Sequence, residues 1–123
     1  APSGAPLPQL DVADALDPAV LDAIVGGDQA MAAAVLDEYL EATAADLRAL
    51  VAARDAGDPA RMAREAHKIK GAARLVGATE IAATARALET RAHDGELAAL
   101  LPLVADVELA AERLRLLVAQ RRG

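Results

Sequence analysis

The chain has 123 residues, a formal net charge of −6, and a composition that is 54% hydrophobic but only 1% aromatic, with Tyr39 unaccompanied by any Phe or Trp. The lack of cysteine excludes disulfides, thiolate metal sites and cysteine nucleophiles and suits a reducing compartment. The acidic balance argues against nucleic acid as a partner, and no apolar run approaches the roughly 20 residues of a membrane span, which argues against direct membrane contact.

The core must therefore be built from Ala, Leu, Val and Ile. Ala and Leu are the best helix formers and β-branched residues are few, so the chain reads as an all-α domain. Residues 1–10, with Ala1-Pro2-Ser3-Gly4-Ala5-Pro6-Leu7-Pro8, read as a flexible linker, and 11–123 as one domain. The missing initiator Met and this opening suggest a piece of a longer polypeptide; no secretory signal is visible.

Asp17-Pro18 reads as an N-cap followed by Pro at the first helical position, starting a short helix that stops at Gly26-Gly27. Asp28 caps a second helix running to about Ala56, with an apolar stripe of Leu36, Leu40, Thr43, Leu47 and Leu50. Asp58-Pro59 repeats the cap signal for a third helix with Met62, Ala66, Ile69, Ala73 and Val76, ending near Gly77. A fourth starts near Thr79 and carries Ile81, Ala85, Leu88 and Ala92. A fifth carries Leu103, Val107, Ala110, Leu114 and Leu117; Pro102 either starts it or kinks it. The 4-3 spacing of the four long segments and their short loops predict an antiparallel up-down four-helix bundle, with the short helix over one end.

One stretch stands apart: Ala66-His67-Lys68-Ile69-Lys70-Gly71-Ala72-Ala73-Arg74-Leu75-Val76-Gly77. At about 100° per residue, His67 lies about 140° from the stripe of its helix, sharing that side with Ala63, Lys70, Gly71 and Arg74, with Arg64 nearby. Between Pro59 and Val76 stand Arg61, Arg64, Lys68, Lys70 and Arg74 against the single acid Glu65, a local +4 on a remainder of −10. A basic strip on an acidic body suits an anionic partner. Gly71 costs about 1 kcal/mol relative to Ala in a helix, and on an exposed face the reason is access to the histidine one turn before it. Lys70 and Arg74 reach towards an anion held at His67; Lys68 points to another side, towards a partner protein.

The available chemistry is narrow. Ser3 is the only serine and lies in the linker, so a hydrolytic triad is excluded and His67 is itself the reacting group. A neutral imidazole is a good nucleophile, and phosphoryl transfer fits its cationic setting. Taking the turn at Ala78, His67 is eleven residues before it and Glu89 eleven after, so an antiparallel hairpin sets them at one depth. Glu89 then either accepts from a ring N–H and orients His67, or pairs with Arg86 or Lys70 as a surface glutamate. His93 reads as a helix-terminal residue far from His67, and the two make a poor metal site; no metal is expected.

AHKIKGAARLVGA, followed by Leu88-Glu89, resembles the histidine-containing phosphotransfer domain of bacterial phosphorelays, and the resemblance extends through Leu36-Asp37-Glu38-Tyr39-Leu40, Leu47, Leu50, Ala53 and Ala56-Gly57-Asp58, roughly from Asp28 to Gln120. It implies that His67 accepts a phosphoryl group from the aspartate of one receiver domain and passes it to the aspartate of another, in a hybrid kinase and a response regulator. It implies no kinase or phosphatase activity and no bound cofactor, the receiver supplying Mg²⁺. Lys68, Lys70 and Gly71 match the family motif, whereas Arg74 and Glu89 stand where the family varies. Tyr39 stands where the family often has Phe and is expected in the core. The linker-like start is similar to modules at the C-terminus of membrane-bound hybrid sensor kinases, which implies a cytoplasmic location. Two alternatives stay open: the phosphoacceptor domain of a chemotaxis-type kinase, and a non-catalytic helical adaptor whose basic strip docks an acidic partner.

Overall fold

The computed structural model describes residues 15–122, so the linker assigned to residues 1–10 lies outside the described residues. Among the described residues five helices have defined bounds, in order α1 (Pro18–Val25), α2 (Gln29–Asp55), α3 (Pro59–Val76), α4 (Thr79–Ala92) and α5 (Leu97–Arg122). No strand occurs among the described residues.

The helix starts follow local chemistry. Asp17, Asp28 and Asp58 each accept a backbone N–H of the first turn, from Ala19, Met31 and Arg61 at 3.0–3.1 Å, and Pro18 and Pro59 occupy first-turn positions where the missing N–H costs nothing. α4 starts without a side-chain cap. Pro102 neither starts nor ends the last helix; it lies inside α5, exposed, in a helix continuous from Leu97. Burial of Leu100, Val104, Val107, Ala110 and Leu114 on the opposite flank holds that helix through the proline.

Each long helix packs on its neighbour in sequence, and α2 closes the ring against α5. The short connections make those neighbours antiparallel: Glu80, at the start of α4, pairs with Arg113, late in α5, and a Cβ at Gly57, after α2, would lie 3.4 Å from Leu97 at the start of α5. α1 packs against α2 and α3. Its anchor is Gly77, in the left-handed conformation at φ 76° after α3. The Asp17 N–H donates to the Gly77 carbonyl at 2.7 Å, and a Cβ at Gly77 would come within 2.7 Å of the Asp17 carbonyl and 2.9 Å of Val20. Only glycine satisfies both demands.

The core is aliphatic. Leu36, Leu50, Met62, Ile69, Ile81, Leu88, Leu100 and Leu114 are its largest fully buried members, with alanines from α3 and α4 letting those helices approach closely. Tyr39 is buried as expected, and burial pushes its phenol pKa up. The stripe expected on α2 needs correcting: Thr43 is buried, but Leu40 and Leu47 are only partly so, and Ala32, Tyr39 and Ala53 complete the buried face. Leu40 and Leu47 instead line an open groove between α2 and α5.

Candidate functional site

The α3–α4 hairpin carries out the register counted about Ala78. His67 Nδ1 lies 2.8 Å from Glu89 Oε2, and Lys70 Nζ donates to Glu89 Oε1 at 2.6 Å. One carboxylate thus bridges the histidine and the lysine of the next turn, and both readings of Glu89, histidine-orienting and lysine-paired, hold at once. The His67 side chain is 69% exposed, whereas Glu89 and Lys70 are 19% and 16% exposed. An imidazole projecting into solvent therefore stands on a nearly covered ionic base.

This base sets the imidazole's proton. The hydrogen bond from Lys70 is the largest influence holding the Glu89 carboxyl below its ordinary range; burial opposes it, and the His67 hydrogen bond adds to the lowering. An ionised carboxylate only accepts, so the ring nitrogen facing it must carry the proton. Nδ1–H donates to Glu89, and in the neutral ring Nε2 holds the lone pair. The result is an oriented nucleophile whose far side already has a counter-charge for the cation that forms when Nε2 is bonded.

Two positions differ from the sequence reading. Ala63, placed with His67 on the solvent side, is buried. At about 100° from the α3 stripe it falls under α4, which covers that flank of the helix. Lys70, on the same flank, does not stand free to clamp an anion; its ammonium is held by Glu89. Arg74 remains exposed two turns beyond His67, and its side chain makes no hydrogen bond or ion pair with a described residue. Lys68 points to another side as expected, towards α2, where Asp46 lies 3.6 Å from its Nζ, with Glu65 of its own helix also at 3.6 Å. Glu65 is the i,i+3 neighbour that helical spacing offers, whereas Asp46, on another helix, carried no sequence signal.

Gly71 is exposed, and a Cβ there would meet nothing within 4 Å. Its φ lies outside the left-handed region. Neither packing nor backbone geometry calls for glycine at this position.

His93 also needs correcting. It does not sit remote from His67 but shares one open depression with it, about 650 Å³, lined by Ala60, Ala63, Arg64, His67, Lys68, Glu89, Ala92 and His93. The same count that joined His67 to Glu89 locates it: Ala63 and His93 each stand fifteen residues from Ala78. No group of three or more His, Cys, Asp or Glu side chains that could hold a metal ion occurs among the described residues.

Residues 34–120 match the family model of the Hpt domain. The fold is similar to that of histidine-containing phosphotransfer protein B (HptB) from Pseudomonas aeruginosa PAO1, with a TM-score of 0.79 and 31% sequence identity over 89% of this chain and 96% of that one. No curated protein sequence matches.

Proposed function

Since the chain belongs to the Hpt domain family and has a histidine phosphotransfer role in a phosphorelay, we propose that His67 accepts a phosphoryl group from the aspartate of one receiver domain and delivers it to the aspartate of another. The observation that carries this reading is the exposed imidazole held through Nδ1 by an ionised Glu89, which leaves Nε2 free to attack. In the step proposed, the Nε2 lone pair forms the N–P bond as the acyl-phosphate O–P bond breaks, and the receiver's carboxylate leaves with that electron pair. The imidazole becomes cationic, and Glu89 stabilises it through the Nδ1–H bond it already makes. Delivery reverses these movements.

The chain brings no cofactor in this reading. The receiver supplies Mg²⁺ and the acidic pocket, and its proposed setting is the cytoplasmic side of the membrane, in the C-terminal part of a hybrid sensor kinase. Lys68, Lys70 and Gly71 take the family's motif roles with one change drawn from the geometry: Lys70 acts through Glu89. The test is transfer of ³²P from a receiver domain phosphorylated on its aspartate. His67→Gln keeps the helical fold, because the side chain is exposed, and takes no label. Label on His93, or on the His67→Gln variant at the wild-type rate, would sink the assignment.

A further inference from the structure

Two of the four basic side chains closest in sequence to His67 are already neutralised within the chain: Lys70 by Glu89 and Lys68 by Asp46 and Glu65. Arg64 and His93 are different. Both are exposed, neither makes a side-chain hydrogen bond or ion pair with a described residue, and both line the depression that contains His67. Between them lie Ala60, Ala63 and Ala92, side chains too short to fill the space. His93 closes α4 one turn after Glu89, which places it about 6 Å further along the hairpin than the His67–Glu89 contact. The depression therefore has a reacting group at one end, uncommitted donors along its rim and a small apolar floor.

We propose that His93 is a specificity-determining residue for the receiver. With Arg64 it donates to an acidic side chain of the docking partner, while an apolar side chain of the same partner fills the alanine floor. Charge complementarity selects this occupant, since a receiver that holds its phosphoryl group in an acidic pocket presents carboxylates beside the group that must reach His67. The two-point contact adds to the affinity of the docked complex and so selects among receivers. This inference rests on the phosphotransfer reading.

The test separates the two. Phosphoramidate, a small phosphodonor that needs no docking, labels His67 in the wild type and, at the same rate, in His93→Leu and His93→Glu. Transfer is then measured from whichever of a panel of phosphorylated receiver domains serves the wild type fastest. The expected result is a KM raised about three- to tenfold by His93→Leu, raised further by His93→Glu, partly restored by the donor-bearing His93→Gln, and a kcat unchanged throughout. An unchanged KM in His93→Glu, a fall in kcat alone, or a parallel loss of phosphoramidate labelling would overturn the role of His93 while leaving that of His67 standing. Failure of the wild type to label on His67 with phosphoramidate, or from every receiver in the panel, would overturn the phosphotransfer reading and this one with it.

Discussion

Replacing Gly71 should make the domain more stable and less useful. A glycine in a helix interior is about 1 kcal/mol less favourable than alanine, mainly because its backbone loses more freedom on folding. Two features of α3 allow that whole difference to appear in Gly71→Ala: the residue's φ is ordinary for a helix, and the added Cβ meets no atom within 4 Å, so no clash offsets the gain. No apolar burial is added either. The expected gain is about 1 kcal/mol, a rise in Tm of about 4 °C for a domain of this size. Gly71→Leu should gain nearly as much, since leucine ranks close to alanine in helices. Position 71 lies one turn beyond His67 and about 40° around the helix, so the leucine side chain fills the space beside the imidazole. Receiver-dependent transfer should fall about tenfold or more, equivalent to about 1.4 kcal/mol in the transition state, while alanine, with one methyl group, should cost less. Thermal unfolding followed by helical circular dichroism and ³²P transfer from a phosphorylated receiver measure the two effects on the same samples. A Gly71→Leu protein that melts below the wild type yet transfers normally would refute the reasoning and make Gly71 a packing residue.

Glu89→Gln should slow transfer, because an amide no longer requires the proton on Nδ1, and should lower stability by about 1–2 kcal/mol through loss of the charge-assisted bond to Lys70. The Glu89 carboxyl is lowered from its ordinary 4.5 in the folded chain, so its contribution is fully present above that value and is lost as pH falls through the lowered one. The Tm difference between wild type and Glu89→Gln should therefore close on titration from pH 7 into the acid range, and a constant difference would contradict the assignment. Lys70→Met removes the largest cause of that lowering, so the loss of stability on acidification that traces to Glu89 should shrink, an outcome read from the same melts. Arg64→Glu should slow receiver association more than dissociation in stopped-flow mixing, with the effect shrinking as the Debye length falls from about 10 Å at 0.1 M salt to about 3 Å at 1 M; a salt-independent association rate would remove Arg64 from the docking surface.

The sequence by itself determined the helices and their order, because the signals are local. Asp17, Asp28 and Asp58 sit one residue before helices that they cap, and the apolar stripes of α3 (Met62, Ala66, Ile69, Ala73, Val76) and α4 (Ile81, Ala85, Leu88, Ala92) are buried at every position except Val76, which is half-buried. It also singled out His67 and, by counting about Ala78, the level of Glu89. That count works because the turn is short and both helices rise equally per residue. Position around each helix was harder to read. An isolated helical wheel puts Ala63 on the same side as His67, and only α4, laid over that flank, decides that Ala63 is floor, Lys70 is half-covered and His67 is free. The sign of the local charge was likewise legible, but not its availability. A count of +4 takes no account of Asp46, supplied by another helix, or of Glu89, which holds Lys70 and His67 together. Burial and ion pairing depend on residues distant in sequence, so tertiary packing alone decided which of the cations around His67 remain for a partner.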